Sequence, residues 1–543
     1  MALDLTPDQR ELGKANFRDV TGELTRRGFM KSMVAAGGAV AIAGPAAFFG
    51  YQSFAGKPVK AAIIGTGDEG TVLIGEHNPK FLEFIAVCDI RPSNQERAFE
   101  KDPKVSLRKG LKYHYGQDAD KHIKVYADYK EMLSKEPEIE AVVIATPLVS
   151  HAPIAIHCLK AGKHVLCEKL MARTIGACKE MIKAAEENDR ILSIGHQRHY
   201  SMLYAHAVEV INSGMLGDVK HIRALWHRNF TFPRLVNGKP GTDPLTGAAW
   251  LQDGWTPPIP EKDEKALKDK IRDYGYKDMV ELCRWRLFNR TGGGLMAELG
   301  SHQLDACSIF LGKVHPLAVT GISTHSFYGS PDNKEKPNPR EIDDHVFATY
   351  EFPGKNHPKG PHGGGKDEHD VVVVSYSSIS TNGFEPYGEC VMGSRGTMIV
   401  EAEQNALLFT ERDPNKAGAG APKSTTATVS TTDPKKPALE SGPTWGGPAA
   451  SSAASGGAAG GPVSRGYREE MEDFAYCVKL WNQSDKANRR LPRCHGKVAM
   501  ADAIIALTSN ISMGRKQRIE FKDEWFDPNS PEVPDADVRF ETV

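Results

Sequence analysis

The sequence predicts an α/β protein in two folding units: an N-terminal, doubly wound parallel sheet, then an α/β domain built on a mostly antiparallel open sheet. Three observations carry that expectation. From residue 59 to about 195, short continuous apolar runs (59–64, 84–88, 141–145, 164–167 and 191–194) alternate with helical patterns, as parallel strands buried on both faces do. Beyond about residue 213, β-branched and aromatic runs with partial alternation (221–227, 318–327, 345–352, 371–377, 397–402 and 406–409) are separated by turns rich in Gly, Pro and Asn. The third is the stretch 59–70, where an apolar strand runs straight into Gly65-Thr66-Gly67-Asp68-Glu69-Gly70.

That last stretch is GxGxxG between a strand and a helix. The first glycine permits a tight turn, the second lets backbone approach a pyrophosphate, and the third lets the helix pack on the strand with its N–H groups facing the phosphates. The next strand ends in Asp89, an acceptor for the adenosine ribose hydroxyls that repels a 2′-phosphate, so NAD is expected over NADP; Arg91, two residues on, works against that preference. Ligands of such sheets sit beyond the C-terminal strand ends, here Gly65, Asp89, Thr146-Pro147 and Glu168-Lys169. The first unit, 58–197, is therefore read as a Rossmann dinucleotide-binding domain, with Asp68, Glu69 and His151 further candidates for cofactor contact.

Charge, cysteines and the N-terminus bound the function. The 543 residues suffice for two or three domains, and 68 Lys and Arg nearly cancel 69 Asp and Glu, which gives no footprint for nucleic acid or an acidic membrane. Nine cysteines include no CxxC and read as buried thiols. In residues 1–57, Thr25-Arg26-Arg27-Gly28-Phe29-Met30-Lys31 resembles a twin-arginine export signal followed by a weakly hydrophobic run from Met33 to about Phe49. The expectation is a leader outside the fold, export to the periplasm or beyond, and an N-terminal membrane tether where the leader is kept.

In the second unit, 198–543, helices are expected near 201–213, 295–311, 466–481 and 496–513, with long excursions at about 229–291, 354–369 and 413–464. On the 295–311 helix, Glu298, His302 and Asp305 share one face. The stripe faces solvent or a polar cavity, because burial without partners is costly. In a cavity, His302 would remove a hydroxyl proton as hydride leaves the same carbon, with Glu298 holding substrate or orienting His302. Glu298 and His302 also have zinc-ligand spacing, but no third ligand accompanies them, and no metal is expected. Lys169, leaving a buried strand where a nicotinamide should lie, could polarise the substrate oxygen or form an ion pair instead. Arg286 suits a substrate carboxylate, and His199 or Tyr200, after the last strand of the first unit, could touch substrate or serve structure.

Two stretches then make a resemblance specific. Val165-Leu166-Cys167-Glu168-Lys169-Leu170 resembles the Glu-Lys-Pro strand end of the glucose-fructose oxidoreductase and inositol dehydrogenase family (Gfo/Idh/MocA), and the run from Gly292 through Glu298 and His302 to Asp305 resembles that family's D-x-G-x-H-x-x-D helix. Ala145-Thr146-Pro147 with His151 fits as well. The sequence departs at Leu170 for proline and Glu298 for aspartate. The resemblance implies oxidation of a sugar or polyol hydroxyl, Lys169 and His302 as acid and base, and a homo-oligomer formed through the open sheet. Some relatives instead cleave glycosides by transient oxidation and elimination without net redox change, and a non-catalytic nucleotide- or sugar-binding protein is a third reading.

Overall fold

The computed structural model describes residues 5–35, 49–51, 56–229, 231–233, 235–236, 239–240, 251–334, 338–410, 464–483 and 485–539. The first unit is the expected doubly wound sheet. Six parallel strands, β1 (Val59–Ile64), β2 (Leu82–Cys88), β3 (Lys124–Tyr126), β4 (Ala141–Ile144), β5 (His164–Glu168) and β6 (Leu192–Gly195), lie in the order β3-β2-β1-β4-β5-β6. Helices α1 (Asp68–Glu76), α2 (Leu148–Lys160) and α3 (Ile175–Glu187) cross between them. β4 and β5 are buried at every position, which is why they read as unbroken apolar runs rather than alternating ones.

The GxGxxG turn sits at the point where the strand order reverses. Gly65 has φ +90°, and a Cβ there would lie 2.3 Å from the Ala145 carbonyl oxygen; one on Gly70 would lie 2.0 Å from the Gly65 carbonyl oxygen. Both glycines are therefore required by close backbone approach, the third because α1 starts against the turn itself. Gly70→Ala is expected to cost about 1–3 kcal/mol of stability by overpacking. The same displacement moves the helix N-terminus off the phosphates, so NADH affinity should fall at least tenfold in a fluorescence titration. Affinity within twofold of the parent would remove the turn from cofactor binding.

The second unit holds an eight-stranded sheet. Its strands are β7 (Val219–His227), β8 (Ala318–Thr324), β9 (His345–Pro353), β10 (Val371–Ile379), β11 (Tyr387–Gly393), β12 (Gly396–Glu401), β13 (Asn405–Thr410) and β14 (Ile519–Glu520), in the order β13-β12-β11-β7-β10-β9-β8-β14. Only the β7–β10 pair is parallel. One face is covered by α4 (Met202–Asn212), by α5 (Ser301–Phe310) and by the long helix α7 (Gly496–Arg515), which also packs on α3 and so joins the two units. The other face leaves Ile322, Phe347 and Val373 exposed. Helix α6 (Tyr467–Gln483) returns to the first unit, where Met471, Phe474 and Val478 share a core with Val59, Ala61 and Phe84.

Part of the stretch expected to serve only as a leader packs into this fold. A helix, Pro7–Ala35, lies along β13: Phe17 is buried, the Asn16 amide donates to the Leu408 carbonyl at 3.0 Å, and Arg10 pairs with Glu401 at 2.8 Å. Farther on, the Tyr51 hydroxyl donates to Glu472 at 3.0 Å. Residues 36–48, most of the hydrophobic run, and 411–463, most of the low-complexity excursion, lie outside the described residues. Among the described residues no helix is long and apolar enough to cross a membrane. All nine cysteines are buried and free.

Candidate active site

The site forms where the end of β5 meets the helix that carries the polar stripe. That helix opens with a π turn, Met296–Gly300, and continues as α5. Wide turns of this kind often mark functional positions, because they re-aim side chains without breaking the helix. The Lys169 ammonium donates to the carbonyl of Glu298 at 2.9 Å, so the first unit's strand end is tied directly to that turn. The Lys169–Leu170 peptide is cis.

Lys169 and His302 act on each other electrostatically. Burial, and then the Lys169 charge with Arg198 and His196, hold the His302 imidazolium well below its ordinary pKa, outweighing the opposite pull of Asp305. His302 is therefore a neutral imidazole at physiological pH, the form a general base needs. Its ring lies 5.5 Å from that of Trp226, which in turn stacks on Tyr387 at 4.6 Å.

Glu298 points to a cluster of cations. Its carboxylate accepts from the Arg286 guanidinium at 2.6 Å. Burial pushes its pKa up, but Arg286, Lys169 and Arg228 together hold it below the usual carboxylate value. Arg286 lies 4.3 Å over the Trp285 ring and Arg228 lies 4.9 Å over that of Trp255. Opposite them, burial raises Glu69 to about 7 against the pull of Lys169, and burial with the neighbouring Glu69 raises Glu168 well above its ordinary value. Glu168 accepts from the Lys169 backbone N–H at 3.1 Å and presses against Gly195, where a Cβ would meet its carboxyl at 2.9 Å.

The remaining candidates sort into those that frame the site and those that do not reach it. Asp89 accepts from the Thr66 N–H at 2.8 Å, the Arg91 N–H at 2.8 Å and the Asn94 amide at 3.1 Å, which fixes its carboxylate at the end of β2. No side chain caps the N-terminus of α1, and Asp68 in its first turn is paired with Arg97 and Arg108 at 2.8 and 3.2 Å, so the turn is not left with an unbalanced anion against a pyrophosphate. The glycine clearances, the ribose acceptor and the open helix end together fit a bound dinucleotide.

Three expected contacts are corrected by burial. His151 is buried, with its two ring nitrogens at 2.9 Å from the Leu170 and Thr146 carbonyls; it staples the loops after β4 and β5 together rather than facing a ligand. Tyr200 is fully buried, its hydroxyl accepting from the Cys494 N–H at 3.2 Å. Asp305 is 1 % exposed and bonds His199 at 2.9 Å and Lys313 at 3.1 Å, so it orients His199 instead of meeting substrate. Asp305, His196 and Asp502 also lie close enough to share a metal ion, but the Lys313 ammonium already bridges the two carboxylates, at 3.1 and 3.0 Å.

Local sequence did not single out Arg198. It is 1 % exposed and bonds Glu403 at 2.8 Å, Glu389 at 2.9 Å and the His302 carbonyl at 2.7 Å, all far away in the chain.

Comparison with known proteins agrees with the two-unit fold. Residues 59–196 match the family model described as "Oxidoreductase family, NAD-binding Rossmann fold", and residues 271–432 match its companion, "Oxidoreductase family, C-terminal alpha/beta domain". Among curated relatives, a glycosyl hydrolase family 109 protein of Stenotrophomonas maltophilia is 29% identical over 202 residues, 37% of this chain and 43% of the relative. An inositol 2-dehydrogenase of Salmonella typhimurium is 29% identical over 178 residues, 32% of this chain and 48% of the relative. The chain thus spans less than half the length of these relatives. Among solved structures, an inositol dehydrogenase homolog from Azotobacter vinelandii in complex with NADH and myo-inositol superposes with a TM-score of 0.54 at 16% identity, covering 86% of this chain and 98% of that one. The aldose-aldose oxidoreductase of Caulobacter crescentus gives 0.51 at 15% identity, covering 86% and 100%. At such identities the structures speak for the fold alone. The two family matches together span more than half of the chain, and the protein belongs to the Gfo/Idh/MocA oxidoreductase family, with an NAD-binding Rossmann domain at its N-terminal side.

Proposed function

We propose that the protein oxidises a hydroxyl of a sugar or polyol, with Lys169 and His302 as the acid–base groups. The observation that carries this reading is the approach of Lys169, at the strand end where a nicotinamide lies in such sheets, to the helix that presents His302 in neutral form. Bound NAD supplies the hydride acceptor. Lys169 polarises the carbinol oxygen and stabilises charge developing on it, while His302 takes the hydroxyl proton as the carbon loses hydride. Arg286 and Glu298, bonded to each other, position the substrate, and His199, held by Asp305, lines the approach.

The arginine pair supports export by the twin-arginine route, and a folded protein carried out with its nucleotide would need a tightly held cofactor and a reaction that returns the hydride within the site. Two kinds of reaction meet that need: oxidation of one sugar coupled to reduction of another, and redox-neutral glycoside cleavage. The second is favoured by the relative named as a glycosyl hydrolase. The exposed apolar face of the eight-stranded sheet, with Ile322, Phe347 and Val373, would serve as the homo-oligomer contact.

The test is to release nucleotide from the purified protein with acid, identify it by mass spectrometry, and then supply sugars, polyols and aryl glycosides without added cofactor. Recovered NAD with turnover of one of these classes is the expected result. NADH accumulating on a polyol identifies net oxidation, whereas aryl release without absorbance at 340 nm identifies closed-cycle cleavage. A protein that binds NAD and turns over none of these overturns the assignment of substrate class.

A further inference from the structure

We propose that Asp263 sets the dinucleotide preference of this protein, by withdrawing Arg91 from the position where a 2′-phosphate would need it. The inference rests on the dinucleotide site described above and names a residue that decides which dinucleotide enters.

Arg91 is the cation next to the ribose acceptor Asp89. A guanidinium two residues beyond the acidic strand end is well placed to pair with a 2′-phosphate, which is why the sequence alone leaves NADP open. In the structure that guanidinium is committed elsewhere: its Nε donates to Asp263 Oδ2 at 2.9 Å. Asp263 is fully buried and also accepts from the Ser93 N–H at 2.8 Å and the Ser93 hydroxyl at 2.6 Å. Its carboxylate is thus built into the turn that follows Asp89, and Arg91 is held by a partner that solvent does not screen.

The seat of Asp263 is rigid for a separate reason. It lies on a short helix, Glu261–Leu267, whose neighbours Leu267, Ile271, Tyr276, Met279 and Leu282 form an apolar cluster that packs on Ile90 and Val149 of the first unit. Ile90 adjoins Asp89, so the cluster anchors Asp263 beside the ribose acceptor. Other cations at this end are also balanced, Arg97 and Arg108 by Asp68 and Lys262 by Glu96. A 2′-phosphate placed here would meet the Asp89 carboxylate and an arginine already bonded to Asp263. The ribose hydroxyls of NAD need only the Asp89 acceptor. Residue 263 falls between the stretches matched by the two family models, outside both.

The experiment measures dissociation constants of NADH and NADPH by fluorescence titration on nucleotide-stripped full-length protein, for the parent, Asp263→Asn, Arg91→Ala and the double variant. The parent should prefer NADH. Asp263→Asn keeps the shape and removes the charge that holds Arg91, so the NADPH-to-NADH ratio of dissociation constants should fall by about 10- to 100-fold, the worth of one charge-assisted contact. The double variant should lose that gain, because Arg91 provides it. Arg91→Ala alone should leave the ratio within about threefold of the parent, an arm that stands even where Asp263→Asn does not fold.

A parent that prefers NADPH, an unchanged ratio in a folded Asp263→Asn, a gain that survives in the double variant, or a large change in Arg91→Ala alone would each overturn the proposal. Binding of neither nucleotide by the parent would overturn the dinucleotide site itself, a failure distinct from those four.

Discussion

Lys169→Ala is expected to lower turnover by about a thousandfold while NADH still binds. The magnitude follows from the two roles the ammonium is given. Stabilising charge on a reacting oxygen in a water-poor site is worth roughly 10²–10³ in rate, and correct proton placement about 10²–10⁴, with the two overlapping because they share one group. The pH profile provides a second readout that a merely structural lysine would not move. The Lys169 charge is one of the causes that depress the His302 imidazolium. Removing it raises the pKa of His302, so at a given pH more of the ring is protonated and less of the base remains. The acidic limb of kcat/KM, which in the parent lies below the ordinary histidine range, should therefore shift to higher pH in Lys169→Ala. A thousandfold loss with an unmoved acidic limb would separate the two groups and leave His302 without the assigned coupling; a loss of less than tenfold would remove Lys169 from the chemistry.

Where these two residues sit in the fold was legible because motif and strand end coincide: Lys169 follows the fully buried β5, and His302 stands on a helix whose polar stripe had to face a cavity or water. The parallel strands were legible for the same reason, since burial on both faces leaves an unbroken apolar run. β11 was not. It carries Gly388 and the buried Glu389, and a strand whose inward positions include a carboxylate does not alternate recognisably. In the first unit, β3 is three residues long and largely exposed, too short to leave a pattern.

The stripe on the π turn and α5 was only partly read. Glu298 bonds Lys169 through its backbone carbonyl and His302 feels the Lys169 charge, but Asp305 is sealed among His199, Lys313 and Asp502. His199 and Tyr200 could not both face the cleft, because adjacent residues of the 3₁₀ turn Gln197–Tyr200 point about 120° apart; Tyr200 took the core. Arg198 and Asp263 were beyond reach for one physical reason. Each is defined by partners far away in the chain, Glu389, Glu403 and His302 for the first and Arg91 and Ser93 for the second, and no local spacing encodes such meetings.

Arg198→Met is expected to destabilise the protein by about 3–5 kcal/mol, the cost of removing one partner from a buried ionic network. The guanidinium meets two carboxylates in a region without solvent, Glu389 fully buried and Glu403 nearly so. Burial pushes the Glu389 carboxyl up to about 7 even with Arg198 and the Tyr204 hydroxyl holding it down. Without the arginine Glu389 loses its cation, and proton uptake becomes the cheaper response there. The sign of the pH dependence follows: a native carboxyl whose pKa lies above its unfolded value binds protons that the unfolded chain releases, so stability falls as pH rises through and above that unfolded value. The variant should therefore lose stability more steeply than the parent between about pH 5 and 8 in thermal unfolding followed by circular dichroism. Methionine fills much of the volume, which separates loss of charge from loss of packing, and Arg198→Lys should recover part of the stability by restoring the cation without the fork that reaches both carboxylates. Because the same guanidinium holds the His302 carbonyl, folded Arg198→Met should also turn over more slowly than the parent at an equal fraction folded. A variant as stable as the parent at pH 8 would mean that the carboxylates need no cation, and the buried network would then carry neither the fold nor the placement of His302.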